Sequence, residues 1–375
     1  MSDPISDKMQ EGVEAGAFPG GVLLVWYQGQ IIHHAAYGHA CLIPRPEPAS
    51  CETVYDLASL TKPLAGVSAA VLLAADGRIV LDDRLERYIP ELRQKELCQS
   101  TLRHLLNHAA GLPAWRPFYE LIAPDGGRLR EKPLEERRRA LYDAIHHEPL
   151  LEPVGARSVY SDLGFILLGE ILERVTGRDW AALCHGEVFQ RLGLEGLFYM
   201  SETGPTGGVS LRNRIFAATE QDEWRGHLLR GEVHDEHAAI LGGVSCHAGL
   251  FGTAKAVLSA SQLWLTAVRG DISPLPRKSA REFVRRQKFA PGSSWALGWD
   301  TPSTGPAGEP SSSGQFFSAS SFGHLGFSGT SVWMDPERNL IVVLLTNRVH
   351  PSRKNNLIRQ FRPGLHDTVV KTLMG

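Results

Sequence analysis

Three short patterns in this 375-residue chain put reactive side chains at workable spacings. The first is Ser59-Leu60-Thr61-Lys62. The apolar positions Leu60, Leu64, Val67 and Val71 predict a helix here. Pro63 places its start near Ser59, because proline is tolerated only in or near a first turn. Residues three apart on a helix are neighbours, so the Lys62 amine can reach the Ser59 hydroxyl. A hydroxyl is a poor nucleophile until a base takes its proton, and a partly desolvated lysine can do that. The helix N-terminus adds N–H groups for a developing oxyanion. Read as structure alone, the same residues are an N-cap serine and a surface lysine.

The second pattern is Tyr160-Ser161-Asp162, which precedes LGFILLGEILERVTG, a strongly apolar helix ended by Gly177. An ammonium beside Tyr160 would lower the pKa of its phenol, which could then shuttle a proton between serine and leaving group. Without chemistry, the tyrosine packs at a helix entrance and Asp162 is the N-cap. The third pattern is His324-Leu325-Gly326, within SFGHLGFSGTSVWMDP. Glycines in a strand mark close approach by a ligand or another backbone. A sheet edge here would expose the Phe327 N–H as a second oxyanion donor. The plainer reading is a satisfied histidine in a bulged strand.

The elements that must position these residues follow from the surrounding text. Residues 4–16 read as a short amphipathic helix, with Ile5, Met9 and Val13 at spacing four. GGVLLVWY reads as a buried strand, Gln28-Gly29 as a turn and QIIHHAAYG as the returning strand. Helical patterns run from residue 58 to about residue 200. They are interrupted by PDGGRLREKPLEERRRA, whose interspersed charges read as a solvated helix face. GLFGTAKAVLSASQLWLTAV reads as a helix capped by Thr253. WALGWD, GTSVWMDP and LIVVLLTNR read as strands, the last two joined at Glu337-Arg338-Asn339, and 302–314 as a low-complexity loop. Strands at both ends and helices between predict an α+β fold, an antiparallel sheet of N- and C-terminal strands flanked by helices. In this reading residues 1–57 and 240–375 form the sheet domain, and 58–239 form an inserted, mainly helical domain.

Together and in this order, the three patterns resemble the serine β-lactamase and penicillin-binding-protein superfamily, in its class C, DD-peptidase and esterase branch. RHLLNHAAGLP, VHDEHAAILGGVSCHAGLFGTA and GTSVWMDPERNLIVVLLTNRVHPSRKNN are also similar to that family, so the resemblance runs from about residue 18 to 370. It implies a β-lactamase/transpeptidase-like fold and a hydrolase that forms an acyl-enzyme on Ser59. Lys62 and Tyr160 would move the proton. The N–H groups of Ser59 and Phe327 would hold the oxyanion. His324 would position Tyr160 or the substrate and add positive character when protonated. Asp162, Gly326, Asn347 and Arg348 would face the substrate, a small ester, amide or peptide. No metal or cofactor is implied. Two departures stand out: Asp162 replaces the usual asparagine and Leu325 the usual threonine. An ionised carboxylate only accepts hydrogen bonds, and beside Lys62 it would raise the lysine pKa. Both changes count against β-lactam hydrolysis. The expected order is therefore esterase or D-amino-acid peptidase, then DD-carboxypeptidase, then true β-lactamase.

Composition narrows the alternatives. Apolar residues are 43%, charged residues 21%, and the net charge is −2, so nothing in bulk favours nucleic acid or an anionic membrane as partner. No apolar run approaches the ~20 residues of a membrane span. Five scattered cysteines without a CxxC pair, and no visible signal peptide, lead to the expectation of a reducing cytoplasm. His104 and His108 stand at a helical i, i+4 spacing but lack the glutamate of a zinc-protease motif. His234, Asp235, His237 and His247 are dense enough to raise a zinc-dependent hydrolase as a reading from another class. A non-catalytic module that keeps the fold is a third.

Overall fold

A computed structural model describes residues 3–288, 290–303 and 311–374. Six antiparallel strands form the main sheet: β1 (Gly20–Tyr27), β2 (Gln30–Cys41) and β3 (Glu47–Pro48) from the N-terminal part, and three more from the C-terminal part. A four-stranded sheet joins β4 (Tyr55–Asp56), β5 (Phe198–Ser201), β6 (Gly204–Pro205) and β9 (Leu250–Gly252). A hairpin pairs β7 (Ala218–Asp222) with β8 (His227–Arg230). The C-terminal strands of the main sheet are β10 (Phe322–Leu325), β11 (Ser331–Asp335) and β12 (Leu340–Thr346). The order β10-β11-β12-β1-β2-β3 pairs β1 directly with β12, Leu23 opposite Leu344, so the two ends of the chain close one sheet. The turn after β1 follows from Gln28 and Gly29, both with φ in the left-handed region.

Both faces of this sheet are covered, which is why Val22–Trp26 of β1 and Leu340–Leu345 of β12 are continuously apolar rather than alternately. Val22, Leu24, Ile341, Val343 and Leu345 belong to the main core, with Trp264 of the helix Ala254–Arg269. Leu23, Val25, Val342 and Leu344 face the other way, onto the helices Pro4–Glu14 and Ile358–Met374 through Met9, Phe361 and Leu365. Thr253 caps the helix Ala254–Arg269 as its position predicts. WALGWD forms no strand; Asp300 makes isolated bridges to Trp295 and Gly323 instead. The predicted loop at 302–314 lies partly outside the described residues. The middle of the chain is less uniformly helical than its pattern, since β5 to β8 fall between residues 198 and 230.

The helix Ala58–Ala75 is long and apolar enough to cross a membrane by composition alone, yet 83% of it is buried inside the fold. It is the core helix that carries the first pattern. It opens with a 3₁₀ turn at Ala58–Leu60, widens to a π-helical turn over Lys62–Val67 and becomes α-helical at Ser68–Ala75. Pro63 accounts for the widening: in a regular α-turn its ring would collide with the carbonyl four residues back, that of Ser59.

Asn347 closes the sheet rather than facing a substrate, which corrects the expectation for this residue. Its Oδ1 accepts from the Gly20 N–H at 3.1 Å, and its Nδ2 donates to the carbonyls of His39 and Ala40 at 3.3 and 3.0 Å. The side chain is buried, so truncation strands three backbone groups. Asn347→Ala is expected to cost about 2–3 kcal/mol, seen as a lower urea midpoint at unchanged slope, with the hydrolytic efficiency of the folded fraction preserved. A selective rise in KM with no loss of stability would return Asn347 to the substrate.

Candidate active site

Ser59 sits on a strained turn. Ala58, just before it, has φ 47°, a left-handed conformation that costs a residue bearing a Cβ. Asp56 holds that turn: its Oδ1 accepts from the Ala58 N–H at 2.8 Å and its Oδ2 from the His234 N–H at 2.7 Å. The N–H groups of Ser59 and Phe327 have no acceptor among the described residues. Phe327 follows β10, the edge strand, where a free N–H can face a substrate. Gly326 is required by packing, because a Cβ there would lie 2.0 Å from Thr330 Oγ1 and 2.7 Å from the Leu57 carbonyl. Its own N–H is spent on the Thr330 carbonyl at 2.7 Å.

Lys62 is fully buried and donates three hydrogen bonds: to Ser59 Oγ at 3.0 Å, Asp162 Oδ1 at 2.6 Å and the His247 carbonyl at 3.0 Å. Burial pulls the lysine pKa down, and Asp162 with Tyr160 more than reverses this, holding the ammonium above the usual lysine range. The sequence reading of Asp162 beside Lys62 therefore describes the geometry. Its assignment as N-cap does not: Ser161 caps the helix Asp162–Thr176, accepting from the Gly164 N–H at 3.2 Å, and this frees Asp162 for Lys62. The loop that brings the His247 carbonyl approaches closely because residue 66 is glycine; a Cβ there would meet Cys246 Sγ at 2.7 Å.

The Tyr160 ring lies 5.1 Å from Lys62 Nζ. Its phenol is not lowered as the pattern suggested. Burial raises it, and Lys62 only partly offsets this. His324 is likewise corrected: burial, then the Lys62 charge, pushes its imidazole down to about 3, so it carries no positive charge at neutral pH. His324 Nδ1 contacts the Leu325 carbonyl at 2.8 Å, and the ring packs 6.0 Å from Tyr160 and 5.5 Å from Trp295. It shapes the wall behind Tyr160. His108 packs against Tyr160 from the other side at 4.7 Å and accepts from the Ser161 N–H at 3.1 Å. It lies beyond the helix Leu102–Leu106 with φ 58°, so the predicted helical pair with His104 is not formed.

Two clefts meet at Ser59 and Tyr160. One, of about 330 Å³, is lined by Trp115, Asp162, His234, Asp235, Phe327 and Arg353 among others. The other, of about 340 Å³, runs past Trp295, Asp300 and His324 to Arg348, Arg359 and Arg362. Burial raises the Asp300 carboxyl to about 6. Arg348 braces the oxyanion loop: its Nε donates to the Phe327 carbonyl at 2.7 Å, and its Nη1 to the carbonyls of Arg353 and Asn355. None of the three arginines has a carboxylate within ion-pair distance among the described residues. Burial and mutual repulsion bring Arg348 down to about 10 and Arg362 to about 9. Trp115, Trp295, Arg359 and Arg362 escaped the sequence reading, since each comes from a segment with no motif, and Arg353 escaped it although it lies in the family-like stretch that closes with HPSRKNN. The 234–247 cluster divides. His234 contacts Glu220 at 2.9 Å and stacks on Phe327, while Asp235, His237 and His247 stay together.

Comparison with known proteins identifies the family and the fold. The model of the Beta-lactamase family matches residues 5–362. N-acetylmuramyl-L-alanine amidase of Bacillus subtilis (strain 168) is 31% identical, over 98% of this chain and 87% of that protein. An Escherichia coli (strain K12) protein, provisionally assigned as a D-alanyl-D-alanine carboxypeptidase, is 29% identical over 91% of this chain and 81% of its own length. A class C β-lactamase from Rhodobacter sphaeroides superposes with a TM-score of 0.72 at 19% identity, covering 99% of this chain and 100% of that one. EstCE1, a hydrolase with promiscuous acyltransferase activity, gives 0.72 at 23% identity, covering 98% and 97%. These relatives lend no support to a zinc-dependent hydrolase.

The Lys62–Asp162 pair sets a pH dependence. In Asp162→Asn the opposing carboxylate is gone, burial dominates, and the Lys62 pKa falls. The rate of Ser59 labelling by a fluorophosphonate should then fall as pH rises, through a midpoint at least about one unit below that of the wild type, because the ammonium that stabilises charge at Ser59 is lost earlier. An unchanged midpoint would show that Lys62 does not govern serine reactivity.

Proposed function

The chain belongs to the β-lactamase family of serine hydrolases, and we propose that it cleaves peptide-like amides whose leaving group bears a free carboxylate, through an acyl-enzyme on Ser59. The observation that carries this reading is the arginine trio at the end of the second cleft, three cations none of which has a carboxylate within ion-pair distance among the described residues. Like charges held together in a half-buried site are unfavourable until an anion joins them. The names of the curated relatives, an amidase and a carboxypeptidase, are consistent with amide chemistry.

The proton path follows from the state of Lys62. As an ammonium it already donates to Ser59 Oγ, so it stabilises charge there and takes no proton. Ser59 Oγ attacks the carbonyl carbon while its proton passes to the Tyr160 oxygen. Tyr160 gives its own proton to the amide nitrogen, the C–N bond breaks, and the amine departs with its carboxylate. The raised phenol suits this exchange, in which no free phenolate forms. The N–H groups of Ser59 and Phe327 hold the oxyanion. Water then adds to the ester, its proton returns through Tyr160 to Ser59, and the acid is released.

Intact-protein mass spectrometry with a slow substrate should show the acyl adduct on Ser59, and Ser59→Ala should abolish both adduct and turnover. Arg362→Met should raise KM roughly tenfold or more for a D-amino-acid-terminated peptide, the loss of one charged hydrogen bond. KM for the same peptide ending in a carboxamide should not change. Equal effects on both substrates would remove the carboxylate from the reading.

A further inference from the structure

His237 is an anomaly. It is fully buried, yet neither ring nitrogen has a hydrogen-bond partner among the described residues. Buried imidazoles are normally satisfied at both nitrogens, one donating and one accepting, and an exception calls for an explanation. His237 belongs to the short helix Glu236–Ile240, in an aromatic box whose ring centroids lie 5.7 Å (Trp115), 6.0 Å (Phe118) and 6.5 Å (Tyr119) away. The same pocket contains Asp235 and His247, and the ligating atoms of all three side chains lie within 4.8 Å of one another.

We propose that Asp235, His237 and His247 form a binding site for a divalent transition-metal ion of the zinc class, adjoining the serine centre through the first cleft but not required for its chemistry. Two imidazoles and one carboxylate suit borderline ions such as Zn²⁺ and Co²⁺ better than Mg²⁺ or Ca²⁺, which prefer oxygen. His247 is equipped for either state. Its Nε2 meets Asp235 Oδ1 at 2.8 Å and its Nδ1 meets Ser245 Oγ at 2.7 Å. A hydroxyl can accept or donate. Without metal, Nε2–H donates to Asp235 and the Ser245 hydroxyl donates to Nδ1. With metal, the proton resides on Nδ1, Ser245 accepts it, and Nε2 offers its lone pair. Ser245 thereby takes the orienting role that outer partners play around metal-bound histidines. Asp235 lines the first cleft, which supplies an entry path.

The test uses Co²⁺ as a spectroscopic probe on the full chain stripped of metal. The expected result is one saturable set of visible d–d bands at a 1:1 ratio, displaced stoichiometrically by Zn²⁺. Ser245→Ala keeps all three ligands and should weaken Co²⁺ binding at least about tenfold. His237→Asn should abolish the bands while still labelling at Ser59 with a fluorophosphonate. Thermal melting without metal confirms that each variant is folded, and Ser245→Ala suffices if His237→Asn is not. Absence of a 1:1 band in the wild type, or unchanged affinity in Ser245→Ala, would overturn the site.

Discussion

One buried ammonium ties the site together. Lys62 Nζ draws in Ser59 from its own helix, Asp162 from the start of the next long helix, and the His247 carbonyl from the loop before β9. Removing a cation from water costs several kcal/mol unless its protons are all taken up, so these three acceptors are a condition of the fold as well as of the chemistry. The surrounding features serve that condition. Glycine at 66 lets the loop approach, Ser161 takes over helix capping from Asp162, and Pro63 widens the turn between Lys62 and the core.

The same ammonium sets the character of its neighbours. Burial is the leading cause of neutrality in His324 and His108, and the Lys62 charge reinforces it in both. Two uncharged imidazoles therefore flank Tyr160, with Trp295 touching both. A phenol in such a wall stays protonated and passes protons through rather than storing charge. A second group of cations, the arginines at the end of the second cleft, lies apart from the nucleophile.

Much of the sheet was legible in the residues. The apolar runs of β1 and β12, the Gln28-Gly29 turn, the Thr253 cap and Gly177 at a helix end are local statements that the structure repeats. WALGWD misled because its apolar residues are buried without strand pairing: Trp299 packs on Trp264 and Phe322. The small strands between residues 198 and 230 are too short to leave a period.

The sequence by itself determined which atoms could react. Ser59, Lys62 and Tyr160 are named by type and order, and the Ser59–Lys62 contact by a spacing of three within one helix, because helix geometry is local. Protonation and function at longer range were decided by tertiary structure. Asn347 became a brace and Arg348 a support for the Phe327 loop, because hydrogen bonds are taken by whichever groups the fold brings near. His324 became neutral and the Tyr160 phenol rose, because desolvation depends on what surrounds a group in space, and spacing along a chain carries no record of that.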